Sequence, residues 1–118
     1  MYTNIDTNEC IERLSKFLHR PETQRRFPNY KPTALVEALT IVMTNNQMKF
    51  GDLVIKQVKG IAMGMSPAPS IANLFVAIHE EEHILAFRSS FLFWIKRFID
   101  DGFGVWLHHN DPAVNKEN

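Results

Sequence analysis

Read as apolar and polar positions, the chain switches repeatedly between a helical and a strand period. Ile11, Leu14, Phe17 and Leu18 recur at the spacing that places side chains on one helical face. Asp6, with Glu9 three residues on, makes a capping box ahead of them, and Pro21 predicts a stop by Arg20. "RPETQRRFPNYKP" then reads as a basic loop carrying Arg20, Arg25, Arg26 and Lys31. A second helix is predicted from about Pro32, with Leu35, Val36, Leu39, Val42 and Met43 on its core face and Asn45-Asn46 at its end. "QMKFGDLVIKQ" alternates on both sides of Gly51-Asp52 and predicts a hairpin.

The loop "VKGIAMGMSPAPS" is rich in turn formers, and Ser66 followed by Pro67 predicts the cap and first position of a third helix. That helix is expected to bury Ile71, Leu74, Phe75, Ile78 and Leu85 and to end near Phe87. A last hairpin is expected from about Phe91 to Leu107, with Asp101-Gly102 as its turn. The order helix, helix, hairpin, helix, hairpin implies an α+β class.

Composition narrows this picture only a little. At 118 residues, 45% hydrophobic and 22% charged, the chain suits one modest core and argues against disorder. Thirteen basic residues balance 13 acidic ones, so bulk charge points neither to nucleic acid nor to a membrane surface. The single cysteine, Cys10, leaves no internal disulfide partner and suits a reducing, intracellular compartment. "MYTNIDTNEC" lacks a signal-peptide layout, and no apolar run approaches the roughly 20 residues of a membrane helix.

Two stretches hold candidate chemistry. "HEEEH", His79 to His83, matches the HExxH pattern, in which both imidazoles could hold Zn²⁺ with Glu80 as general base. No third ligand is indicated, and three consecutive glutamates suit a solvated face better than a metal cleft, so a surface stretch with two ordinary histidines is the better reading. "FIDDGFG" sets Asp100 and Asp101 side by side in the most apolar region of the chain. The turn accounts for Asp101 but not for Asp100. Adjacent carboxylates repel unless a cation neutralises them, and Mg²⁺ favours carboxylate, phosphate and water oxygens. The pair therefore suits a metal–phosphate site, to which two-metal chemistry usually adds a further carboxylate. A plain hairpin with Asp-Gly at its bend is the competing reading.

These residues resemble a known family. "FIDDGFG" looks like the aromatic-x-Asp-Asp box of reverse transcriptases. Upstream, "QVKGIAMGMSPAPSIANLF" resembles the box that precedes it in those enzymes, and "MYTNID" resembles the tail of their first catalytic box. The three occur in the family's order, with wording closest to Penelope-like and other non-LTR retrotransposon enzymes. The resemblance implies a partial palm domain over residues 1–118, with helices packed on an antiparallel sheet and a catalytic Asp-Asp hairpin at 92–107. It implies an RNA-directed DNA polymerase, transferring nucleotides from dNTPs onto a DNA primer against an RNA template with two Mg²⁺ ions, and a nuclear location.

Residue by residue, the resemblance makes Asp100 and Asp101 the metal-binding catalytic pair. Tyr2 falls at the aromatic beneath the deoxyribose, and simple strand packing would explain it equally. Gln57, Gly60, Met63, Gly64, Ser66 and Pro67 match the second box, where glycines allow backbone to approach nucleotide and template and a helix start favours phosphate. A Gly/Pro loop opening a helix explains the glycines but not their conjunction with Gln57. Arg25 and Arg26 suit an ordinary basic loop better than a phosphate contact.

One departure stands out. The family's first aspartate would lie before Met1, and Asp6 is a helix cap rather than its substitute. The expectation is a truncated polymerase piece without fingers or thumb, inactive as it stands. The alternative is a non-catalytic retroelement remnant that binds nucleic acid weakly, and a zinc hydrolase is a remote third.

Overall fold

The computed structural model describes residues 2–85 and 92–108. The chain divides into two compact units, Met1–Ile78 and His79–Asn118. Helices and small antiparallel sheets are mixed, so the α+β class holds.

The first unit opens with a 3₁₀ turn, Tyr2–Asn4, so the strand packing considered for Tyr2 does not apply. Helix α1 (Thr7–Leu18) follows, and the Asp6 carboxylate accepts from the backbone N–H groups of Asn8 and Glu9 as a cap should. The Glu9 side chain pairs with Arg13 at 2.9 Å, an i,i+4 contact along the helix. The predicted basic loop needs correction: Pro21–Arg26 forms a short helix, α2, with proline in its first turn and Arg25 and Arg26 in its last. The proline that ends α1 also pre-sets the φ of the next helix, and the two arginines complement the carbonyl end of its dipole. The Tyr30 hydroxyl donates to the Leu18 carbonyl at 2.7 Å and ties the following segment back to α1.

Helix α3 (Pro32–Thr44) starts and stops where the prolines and asparagines place it. Its core face is narrower than expected. Met43 is buried and Leu39 packs against the core, whereas Leu35 and Val42 remain 38% and 37% exposed. The helix is apolar on most sides, and packing against α1 covers only one stripe. Strands β1 (Gln47–Phe50) and β2 (Leu53–Lys56) form the predicted hairpin, paired from Gln47↔Lys56 to Phe50↔Leu53 around Gly51-Asp52. All of its strand residues are exposed, so the core of this unit is built from helices and loop rather than from helices laid on a sheet.

That core joins Ile5, Cys10, Leu14, Met43 and Ile61 to Ala68, Ile71, Ala72 and Ile78 of helix α4 (Ala68–Glu80). Leu74 and Phe75 pack at its margin. α4 begins one residue later than predicted, with the Pro67 carbonyl accepting from the Ile71 N–H. Burial, with the charge of Glu9 nearby, pushes the Cys10 thiol up to about 12.

In the second unit a π-helical turn, Glu81–Leu85, continues α4. The expected helix end near Phe87, the Leu85 side chain and the hairpin start at Phe91 lie outside the described residues. Strands β3 (Leu92–Phe98) and β4 (Asp101–Trp106) pair antiparallel, with an irregularity between Leu92 and Trp94. The turn is not Asp101-Gly102. Phe98 pairs with Asp101 and Arg97 with Gly102, so the loop is Ile99-Asp100. Cross-strand contacts outweigh the local turn preference: this register sets Trp94 edge-on to Phe103, ring centroids 5.9 Å apart, and Lys96 opposite Phe103.

Candidate functional site

The Gly60–Met65 loop is clasped by the start of the chain. The Ile61 N–H donates to the Tyr2 carbonyl at 2.9 Å. Gly60 has φ +86°, and a Cβ there would stand 2.8 Å from both the Cα and the carbonyl oxygen of Thr3. Only glycine fits, and the backbone approaching it belongs to the chain itself. Gly64 differs: its φ of +92° also favours glycine, yet a Cβ there would meet nothing within 4 Å.

Gln57 stabilises the same loop from its other end. Its backbone N–H donates to the Asn46 carbonyl at 2.9 Å, and its side-chain Nε2 donates to the Lys59 carbonyl at 2.8 Å. These ties border a groove of about 650 Å³ lined by Thr3, Asn46, Gln57, Lys59, Met63 and Gly64, with Gln47, Met48, Ala62 and Met65 completing its walls. Amides and one lysine beside thioether walls can hydrogen-bond a planar, edge-polar ligand and pack its faces. Gln57, Met63 and Gly64 of the sequence-predicted set meet here. Tyr2 instead packs against the core, Gly60 is buried against Thr3, and Ser66 and Pro67 form the turn leading into α4. Arg25 and Arg26 are exposed at the end of α2. Thr3, Asn46 and Lys59 were not singled out from sequence, although Lys59 sits inside the "QVKG" run that matches the second box.

In the second unit, Asp100 and Asp101 are exposed at the tip of the β3–β4 hairpin. Asp100 is the second loop residue, and Asp101 begins β4 opposite Phe98. Between Phe98 and Asp100, Ile99 takes φ +57°, the left-handed region, where a β-branched side chain costs about 1–3 kcal/mol. Arg97 braces this bend: its Nη1 donates to the Ile99 carbonyl at 2.6 Å, and its Nε donates to Glu80 Oε1 at 2.6 Å. Among the described residues, no hydrogen bond or ion pair holds the carboxylate of Asp100 or Asp101. Two exposed carboxylates offer the hard oxygen donors that Mg²⁺ takes, while among the described residues no third carboxylate gathers with them.

The HExxH stretch takes a different form. His79 and His83 are close, with ring centroids 4.3 Å apart, but the Glu80 carboxylate is engaged by Arg97 and so is not placed as a general base. Among the described residues, no three histidine, cysteine, aspartate or glutamate side chains converge. No helix among them is long and apolar enough to cross a membrane, and Cys10 is a free thiol. Comparison with protein-family models, curated proteins and solved structures finds no match to this chain.

Proposed function

We propose that the chain is palm-region sequence of an RNA-directed DNA polymerase: in the first unit the groove bordered by Gln57, Met63 and Gly64 would take up a nucleotide, and in the second Asp100-Asp101 would hold Mg²⁺, each role resting on its own unit. The carrying observation is the tip of the β3–β4 hairpin. Two uncommitted carboxylates stand on a bend that a β-branched residue holds at positive φ, a conformation that persists only where neighbours enforce it. The groove adds support, since Gln57, Met63 and Gly64, all matched to the second resembling box, line it together with Thr3, the residue after the tyrosine of the first.

In this reading the groove's amides hydrogen-bond the base edge, and the methionines pack its faces. Asp100 and Asp101 would hold Mg²⁺, which would neutralise phosphate charge as a primer 3′ hydroxyl attacks the α-phosphate and pyrophosphate leaves. The protein's share is positioning and charge placement rather than covalent chemistry.

The test is titration with a fluorescent dNTP, with and without Mg²⁺. Affinity should rise with the metal, and Asp100→Asn should remove at least about tenfold of that gain. Gln57→Ala should weaken binding in both conditions. Affinity indifferent to Mg²⁺ and to Asp100→Asn, falling only with added salt, would instead mark a chain that binds phosphate backbones without a metal site.

A further inference from the structure

Glu80 belongs to the HExxH stretch, whose zinc reading its geometry does not serve, and Arg97 belongs to no motif. The two meet at 2.6 Å with both side chains mostly shielded from solvent. Together with Ile84, Ile95 and Lys96 they line a small cavity of about 130 Å³. The same guanidinium reaches the Ile99 carbonyl, the oxygen of the peptide group that joins Ile99 to Asp100. Fixing that oxygen fixes the peptide plane from which Asp100 departs.

We infer that Arg97, itself anchored by Glu80, is a positioning residue that holds the Ile99-Asp100 bend in its left-handed form and so sets the direction of the Asp100 carboxylate. A guanidinium suits the task because it is planar and donates in two fixed directions at once. A lysine ammonium carries the charge but cannot hold carboxylate and carbonyl in one rigid fork. An unbraced isoleucine would relax toward negative φ, because its Cβ crowds the backbone at positive φ. The consequence for metal binding rests on the proposed function; the conformational claim does not.

The experiment compares wild type with Arg97→Lys, Arg97→Ala and Glu80→Gln, each alone and combined with Ile99→Gly. Two readouts are needed: NMR couplings that report φ at residue 99 in metal-free protein, and Mg²⁺-dependent dNTP affinity. Arg97→Ala and Arg97→Lys should move the residue 99 couplings toward negative φ and weaken metal-dependent affinity about tenfold. In the Ile99→Gly background the same changes should have at most about a third of that effect on affinity, because glycine reaches positive φ without steric cost.

Unchanged couplings in Arg97→Ala would overturn the inference, as would full function in Arg97→Lys or an equal loss in the Ile99→Gly background. Should Arg97→Ala not fold, Glu80→Gln supplies the same test by loosening the anchor. Wild type that shows no metal-dependent affinity defeats the proposed function, and the couplings then still decide the brace.

Discussion

The two hairpins of this chain make nearly the same bend by opposite means. Each closes through a two-residue loop, Gly51-Asp52 in one and Ile99-Asp100 in the other. The first loop residue takes φ +60° at Gly51 and φ +57° at Ile99. At Gly51 the residue chosen makes that angle free of steric cost, and nothing lies within 4 Å of where a Cβ would be. At Ile99 the angle is imposed on a β-branched residue that disfavours it, and the Arg97 guanidinium grips the carbonyl on its far side. A bend selected by glycine needs no support from elsewhere. A bend enforced against its own residue points to a demand from outside the turn, and here it adjoins two uncommitted acids.

Substitutions at the positive-φ positions can break or sharpen this contrast, read by chemical denaturation. Tryptophan fluorescence reports the β3–β4 hairpin through Trp94 and Trp106, and circular dichroism reports the helices. The largest effect is expected at Gly60→Ala, where an unfavourable φ adds to a clash with the Thr3 backbone. A loss of about 3 kcal/mol in helical stability is predicted, and a loss below about 1 kcal/mol would mean that the clasp on the glycine loop readily gives way.

Gly51→Ile comes next, costing about 1–2 kcal/mol because no brace waits there to hold the angle. Its mirror, Ile99→Gly, should stabilise the metal-free hairpin by about 1 kcal/mol, since strain is relieved and the side chain is already 43% exposed. Destabilisation by Ile99→Gly would contradict the strained-bend reading directly. The smallest effect belongs to Asp100→Asn, neutral or stabilising by up to about 0.5 kcal/mol without metal. A large destabilisation there would show that the carboxylate serves the turn itself rather than a ligand.

Much of the chain's local structure was legible before any coordinates. The Asp6 cap, the proline start of α3, its stop at Asn45-Asn46 and the Gly51-Asp52 hairpin follow from neighbours within a few positions. Each depends on a side chain reaching nearby backbone, or on the φ that a residue tolerates, so adjacent letters suffice. The helix α2 was missed because Pro21 is a stop for one helix and an equally good start for the next.

The candidate site divides along the same line. The residue types were visible in the sequence: twin acids, a glycine-rich loop and a glutamine before it. Their arrangement was not. An Asp-Gly pair is the stronger turn signal taken alone, yet strand pairing moved the bend to Ile99-Asp100. Gly60 reads as room for a ligand, yet its space is filled by Thr3 from the other end of the unit's sequence. Glu80 reads as the general base of a zinc motif, yet it anchors Arg97. The sequence by itself determined where helices and turns could begin, because those choices are settled by short-range sterics and hydrogen bonds. Only the tertiary structure decided which glycine is occupied, which loop is strained and which charge is spoken for, because those depend on groups remote in sequence that meet once the chain has folded.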